Sequence, residues 1–288
     1  MRTVVEVARA GHRVRCVLRA GHLAPRVLTQ TDRAVTVALV ATGALLLGGD
    51  HVRVEVRVGD GVALELVETS GTVAYHGRGL PSSWSADVHV GRGASLVWDA
   101  LPFVVSDGAD VARTTNLRVH DEGAALLRET LVLGRDGQRG GLLRSATSAV
   151  VGGADLLVEE LDLTGPHTAA GVLGAARVVD SVLLAGARPP RADERAHGRH
   201  HGRDGAGPDE RRGVVVLDLH GPGALARAVG AAAHVADVGP LVGRWRTALR
   251  ADAAAPEGTG APTAPTADAP PGTTGIDDRS TPCMSPTT

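Results

Sequence analysis

Three closely spaced histidines are the most metal-like feature of the sequence. His197, His200 and His201 stand in a segment rich in Gly, Pro and charged residues. Imidazoles at such spacing can bind Ni(II), Zn(II) or Cu(II). The neighbouring arginines oppose cation binding, and no apolar pattern supplies a scaffold to fix the geometry. We therefore expect a solvated linker, with a nickel-binding storage or sensing site as the alternative.

Catalytic motifs are missing from the sequence. There is no Gly-x-Ser-x-Gly elbow and no His-Glu-x-x-His pair, and a chain without lysine cannot build a Walker A loop. The Gly pair before Asp50 lacks the third glycine and the helix of a dinucleotide fingerprint, so it predicts a tight turn. These observations argue against nucleotide hydrolysis by this chain.

Composition narrows the classes of function further. The chain has 288 residues, a formal net charge of −2, 43% hydrophobic residues and only 2% aromatic residues. A near-neutral chain with so few rings does not suit nucleic-acid binding or a sugar-binding platform. No apolar run reaches the roughly 18 residues of a membrane span, and no signal peptide is visible. Cys16 and Cys283 lie far apart and imply no disulfide framework, so we expect a cytoplasmic protein.

Alternation of polar and apolar residues predicts strands in the first part of the chain. His51–Val58 alternates, a turn follows at residues 59–61, and residues 62–66 alternate again, so an antiparallel hairpin is the simplest expectation. A Gly-x-x-Leu step recurs at intervals of 32, 30 and 30 residues. The leading glycines are Gly61, Gly93, Gly123 and Gly153. This repeat predicts an all-β fold with a stacked β-helical or layered hairpin architecture.

The C-terminal part favours about two helices. Residues 224–234 are rich in Ala and poor in β-branched side chains. After the break at Gly239, Pro240 suits the first turn of a second helix. In that helix Leu241, Trp245 and Leu249 form one apolar stripe. We expect the two helices to cap the open stack of strands.

Composition divides the chain into four segments. Residues 1–185 form the β-stack core, and residues 186–213 form a flexible insertion rich in Arg, His, Gly and Pro. Residues 214–251 add a strand and the helices to the same domain, and residues 252–288 read as a disordered tail.

The order of several short motifs resembles the UreD family of urease accessory proteins, also called UreH. The match covers roughly residues 12–250, and the series is more specific than any one motif. The motifs are the Gly-Gly-Asp turn at Gly48, Gly49 and Asp50, the segment from Thr69 to Tyr75, the Leu101-Pro102 step, Gly134-Arg135 at a strand end, and the Trp-x-x-x-Leu-Arg ending that begins at Trp245. The chain departs from the family pattern at residues 137–141, which lack the Glu that usually ends a Gly-Arg-x-x-x-Gly-Glu segment.

This resemblance implies a maturation chaperone rather than an enzyme. Members of the family bind the urease apoprotein with UreF-like and UreG-like partners, the latter a GTPase, and assist nickel insertion. No nucleic acid, no membrane and no tightly bound cofactor is implied, and Ni(II) would pass transiently. Weak candidates for its transit are Asp50, Glu68 and Thr69. The candidate partner contacts are Gly48, Gly49, Asp50, Thr69, Tyr75, Leu101, Pro102, Gly134 and Arg135.

Overall fold

The computed structural model describes residues 2–165, 173–190 and 213–254, which form strands and one helix. The elements of this part are β1 (Arg2–Ala10), β2 (Arg13–Arg19), β3 (Leu23–Gln30), β4 (Ala34–Ala41), β5 (His51–Val58), β6 (Ala63–Glu68), β7 (Thr72–Ala74), β8 (Ser82–Val90), β9 (Ser95–Asp99), β10 (Phe103–Val105), β11 (Asp110–Val119), β12 (Ala124–Leu133), β13 (Leu142–Val151), β14 (Ala154–Thr164), β15 (Val178–Ala185), β16 (Val214–Asp218), β17 (Gly223–Gly230) and α1 (Gly239–Ala254).

Successive strands alternate between two sheets. Sheet A has the order β14-β13-β11-β8-β5-β1-β2, and sheet B has the order β16-β17-β15-β12-β9-β6-β4-β3, with β7 and β10 beside it. The central strands of both sheets pair in parallel. Val54 pairs with Ala86 in sheet A and Leu64 with Leu96 in sheet B, each 32 residues apart. The chain therefore winds as a two-sheeted solenoid, which confirms the stacked all-β prediction.

The antiparallel hairpin expected over residues 51–66 is wrong. β5 lies in sheet A beside β1 and β8, whereas β6 lies in sheet B beside β4 and β9. Alternation reports that a segment is a half-buried strand, but it does not identify the partner strand. The turn between them carries the chain from one sheet to the other. The step at Gly153 does form a hairpin, because β13 and β14 pair antiparallel.

Inward-facing side chains of the two sheets form the main core. β5 buries Val52, Val54, Val56 and Val58 on one face, as its alternation predicts. Facing positions of sheet B are also mostly Val, Leu and Ala, and both sets belong to one apolar cluster. These small side chains let two sheets pack with few aromatic residues.

A second apolar layer lies on the outer face of sheet B. There α1 packs against β9, β12 and β15. The predicted stripe is confirmed, since Leu241, Trp245 and Leu249 are all buried in this second cluster. The helix covers the face of the sheet instead of capping the end of the stack. It is neither long nor apolar enough to cross a membrane.

The helix predicted for residues 224–234 is wrong. Residues 223–230 form β17, which pairs antiparallel with both β15 and β16. Ala226 and Ala228 are buried in the cluster under α1. Helix propensity is a weak preference, and here pairing with β15 overrides it.

Candidate functional site

A chamber with several charged side chains in its walls lies between the two sheets. It offers about 60 Å³ to the centres of water-sized molecules, and one buried water needs about 10–15 Å³ on that measure. Its walls are formed by Glu68, Trp84, Trp98, Ala100, Arg113, Thr115, Leu117, Leu127, Arg128, Glu129, Thr147, Leu157, Glu159, Ser181, Leu183, Leu225 and Arg227. The chamber can therefore hold a few waters or a small ion among charged side chains.

Successive side chains of a strand point to opposite faces of its sheet, so the charged residues at inward-facing positions lie in the interior. On β11 the buried face reads Val111, Arg113, Thr115 and Leu117, with two polar residues between apolar ones. Burying unpaired polar groups costs free energy, so such groups must find partners within the interior.

One ion pair in the chamber is fully engaged. Both terminal nitrogens of Arg227 donate to Glu159, each at 2.7 Å, and Arg227 Nε donates to Ser181 Oγ at 2.9 Å. This bidentate fork–fork geometry is the strong form of the Arg–carboxylate pair. The pair ties β17 of sheet B to β14 of sheet A.

A second ion pair is less completely satisfied. Arg113 pairs with Glu129 across the interior and donates to Thr115 Oγ1 at 3.2 Å. Its guanidinium carbon lies 4.3 Å from the ring centroid of Trp84 and 5.5 Å from that of Phe103. Arg113 is only 7% exposed. Burial lowers the pKa of Arg113 to about 10, while the negative charge of Glu68 acts in the opposite direction.

Glu68 contributes a third carboxylate, held by two donors. Trp98 Nε1 donates to Oε1 and the Leu101 backbone N–H donates to Oε2, each at 3.0 Å. Burial raises the pKa of Glu68 above its ordinary value, although both hydrogen bonds and the charge of Arg113 lower it. The carboxylate is therefore fixed in orientation and can bind either a proton or a cation.

Two buried polar atoms beside these pairs lack partners within the described part of the chain. They are Arg113 Nε and Ser145 Oγ, on neighbouring strands that pair at these two residues. Such atoms suit water or another small polar guest in the interior. No group of three or more His, Cys, Asp or Glu side chains that could hold a metal ion occurs among the described residues. The chamber thus supplies scattered oxygen donors.

Most of the motif residues stack in one corner of the solenoid. Four loops return the chain to sheet A, namely residues 42–50, 75–81, 106–109 and 134–141, and we call them the motif corner. Backbone hydrogen bonds join successive loops, such as Gly77 N–H to Gly108 O at 3.0 Å. The predicted site residues in this corner are Gly48, Gly49, Asp50, Tyr75, Gly134 and Arg135.

Inside the motif corner, side chains support the backbone. Asp50 Oδ2 accepts the Leu47 N–H at 2.9 Å, which confirms the predicted turn. The guanidinium of Arg135 lies over Tyr75, 5.8 Å from its ring centroid. Arg177 donates to the carbonyl oxygens of residues 133, 134 and 135 at 2.8–3.0 Å. Asp50 is not among the residues that line the chamber.

The remaining motif residues lie in the adjoining corner, next to Glu68. Thr69 follows β6 and donates to Leu39 O at 3.3 Å. Leu101 and Pro102 follow β9, and Thr72 N–H donates to Pro102 O at 3.1 Å. Of the three transit candidates, Glu68 alone lines the chamber.

Sequence reasoning missed five charged residues of the chamber walls, namely Arg113, Arg128, Glu129, Glu159 and Arg227. Glu159 lies on an alternating strand among exposed residues, yet it pairs with Arg227 and is only partly exposed. The sequence does show a charged residue at an inward-facing position of a strand, as at Arg113 between Val111 and Leu117. Such a position indicates a buried charge. His197, His200 and His201 fall outside the described residues.

Comparisons with known proteins agree on one family. Residues 2–259 match the family model described as UreD urease accessory protein. "Urease accessory protein UreD 1" of Streptomyces griseus subsp. griseus is 42% identical, over 85% of this chain and 91% of the relative. "Urease accessory protein UreD" of Frankia alni is 36% identical, over 68% of each chain. "Urease accessory protein UreD 1" of Saccharopolyspora erythraea is 34% identical, over 65% of this chain and 77% of the relative.

Proposed function

Since the chain belongs to the UreD family of urease accessory proteins, a family of accessory proteins rather than enzymes, we propose that it is a scaffold for urease maturation. It binds the urease apoprotein together with UreF-like and UreG-like partners in the cytoplasm. Through this assembly it assists the insertion of nickel into the urease active site. The observation that carries the proposal is the polar chamber between the two sheets.

The chamber suits a cation in transit. Its carboxylates, Glu68, Glu129 and Glu159, and its hydroxyl groups offer oxygen donors inside an otherwise apolar protein. Nickel prefers imidazole and other nitrogen ligands over carboxylate oxygen. An oxygen-lined chamber therefore holds Ni(II) weakly and releases it, whereas a nitrogen or thiolate site would retain it.

The two corners supply surfaces for partners. Leu47 and Leu80 in the motif corner are 46% and 59% exposed, and Tyr75, in the same loop as Leu80, is 36% exposed. Leu101 exposes 40% of its surface in the adjoining corner. Apolar side chains that are exposed together at one place can form a contact patch for another protein. We assign the contacts with partner proteins to these corners.

The proposal is tested by removing the gene and measuring nickel in purified urease by elemental analysis. The expected result is nickel-poor urease, restored when the full chain is supplied again. Tagged chain should also co-purify with urease apoprotein and the UreF-like partner. Leu80→Glu should reduce this capture, whereas Val158→Glu, at a still more exposed apolar position on β14, should not. Urease with normal nickel content in the deletion strain would refute the proposal.

The histidine-rich segment needs its own experiment, because it is the basis of the storage or sensing alternative. A chain lacking residues 195–205 is supplied to the deletion strain, and Ni(II) binding to the purified variant is measured. Under our proposal urease nickel is restored. If restoration fails and all Ni(II) binding is lost, the histidine-rich segment carries the function.

A further inference from the structure

Three basic residues form a row across the outer face of sheet A, on the side away from the chamber. The parallel register places Arg57 of β5 beside His89 of β8, and His89 beside Arg118 of β11. All three residues are exposed, and we call them the basic row. Neighbouring strands lie about 5 Å apart, so the α-carbons of the two arginines are separated by about 10 Å, with the histidine between them. Both long arginine side chains can therefore reach one group bound above the imidazole.

The arginines of the basic row are not neutralised by a carboxylate. Neither forms an ion pair with another residue in the part of the chain that the structure describes. The acidic residues two positions earlier on β5 and β8 have partners of their own. Glu55 pairs with Arg2 at 2.7 Å, and Asp87 accepts a hydrogen bond from Asn116 at 2.9 Å. The two guanidinium groups are thus left to interact with solvent or with a bound anion.

His89 lies in the positive field of the two arginines. Partial burial lowers the pKa of His89, and the charges of Arg118 and Arg57 lower it further, while Asp87 and Glu55 raise it. The positive charges on either side therefore disfavour the imidazolium form. An anion bound over the imidazole would offset this repulsion.

An open groove runs along the basic row. It offers about 470 Å³ to the centres of water-sized molecules, whereas one water needs about 10–15 Å³ on that measure. Glu6, Asp60 and His120 also line it. Glu6 lies beside Arg57 at the β1 end, and Asp60 accepts the backbone N–H of Arg92 at 2.8 Å. The groove therefore has room for a hydrated anion on the side of the row that faces β11.

We propose that Arg57, His89 and Arg118 form a binding site for a phosphate group. A terminal phosphate group has three acceptor oxygens and a charge of about −1.5 to −2 at pH 7. It can accept hydrogen bonds from both guanidinium forks and from the imidazole between them, whereas a carboxylate has only two oxygens. The group can belong to free phosphate or to a phosphate monoester. This site lies outside the chamber and goes beyond the proposed function, because it requires no nickel.

The test follows the His89 imidazole by NMR while inorganic phosphate is added to the full chain. The ionic strength is held constant with chloride, and the signal of His89 is identified by its loss in His89→Asn. Because this signal is local, binding to the histidine-rich segment does not interfere. Arg57→Gln and Arg118→Gln are the site variants. The matched control is Arg53→Gln, which removes an exposed arginine on the same face of β5 that lies beside Ser85 instead of a histidine.

Phosphate should change the His89 signal in a saturable way and should raise the pKa of His89, because a bound anion favours the imidazolium form. Each site variant should bind phosphate at least about fivefold more weakly than the parent, because a charge-assisted hydrogen bond is lost. Arg53→Gln should match the parent. All the substituted residues are exposed, and thermal melting checks that each variant is folded.

A second titration with glycerol 3-phosphate distinguishes the two sources of the phosphate group. If the ester also binds, the site accepts a phosphate group carried by a larger molecule, and if only inorganic phosphate binds, the ligand is the free ion. Either result supports the site. A change that does not saturate, or acetate binding as tightly as phosphate, overturns the proposal. Unchanged binding by either site variant, or an equal loss in Arg53→Gln, overturns it as well, since the anion would then respond only to the general charge of the surface.

Discussion

Replacing Asp180 by Asn should destabilise the protein more than any surface change. Asp180 is fully buried on β15 and accepts four hydrogen bonds. Arg128 donates from Nε at 3.1 Å and from Nη2 at 2.8 Å, Thr130 Oγ1 donates at 2.8 Å, and the Val238 N–H donates at 2.9 Å. The carboxylate thereby joins two strands of sheet B to the start of α1.

The expected loss of stability depends on the buried positive charge of Arg128, which remains after the substitution. Breaking a buried ion pair from one side costs about 3–5 kcal/mol, because the partner charge stays buried. Arg128 keeps Asp237 at 3.1 Å and Asp99 at 3.5 Å, so the lower end applies. The amide group of Asn also turns N–H donors toward groups that donate. We expect a loss of about 3 kcal/mol, or about 6–12 °C in melting temperature for a domain of this size.

Thermal and urea unfolding of the full chain, followed by circular dichroism, measure this loss. Asp136→Asn is the matched control, because Asp136 is exposed. Amide hydrogen exchange in α1 should also accelerate in the Asp180 variant, since the link to Val238 is lost. A destabilisation below about 1 kcal/mol would show that the network contributes little beyond what Asp99 and Asp237 supply.

Three further outcomes are expected. Tryptophan fluorescence should titrate with a midpoint above the ordinary 4.5 of Glu, because Trp98 donates to Glu68, and Glu68→Gln should abolish the change. Because burial raises the pKa of Glu68 in the folded state, protonated Glu68 contributes to the free energy of unfolding at low pH. This contribution is lost as the pH rises through the folded-state pKa, which urea unfolding at several pH values measures. Gly48→Ala should lower the urea midpoint more than Gly43→Ala, because a Cβ at Gly48 would lie 2.4 Å from a backbone oxygen while Gly43, in the same loop, faces open space. Trp245→Ala should cost about 3–5 kcal/mol in chemical unfolding and loosen α1.

The fold class could be predicted because the repeat is visible in short stretches of the sequence. Glycines near each turn and alternating strands recur at an almost constant interval, and the structure stacks these units in parallel. The partner of each strand was not predictable in the same way. Leu64 pairs with Leu96, but Leu96 pairs with Ala125, so successive turns are offset by 32 and then 29 residues. Such long-range register depends on both sheets together.

The candidate site also combines contacts between sequence neighbours, which could be predicted, with contacts between residues far apart in sequence, which could not. The turn at Asp50 follows from a short motif, and its side-chain hydrogen bond is local. The Arg227–Glu159 pair joins residues 68 positions apart, and no local pattern connects them. Ala-rich β17 was mistaken for a helix because its composition favours helix locally, whereas its pairing with β15 joins residues such as Val182 and Ala226, which are 44 positions apart.

The charges of the chamber are poorly explained by stability alone. A buried ion pair often contributes no more than apolar residues of similar volume would, and the rest of this interior is built from Val, Leu and Ala. The chain has only five aromatic residues, yet Trp84, Trp98 and Phe103 contact one another beside Arg113. Placing three of the five aromatic residues and several charged residues together in the interior adds little to the free energy of unfolding. Carboxylates that lie beside arginines inside the protein suit the weak cation binding that the proposed function requires.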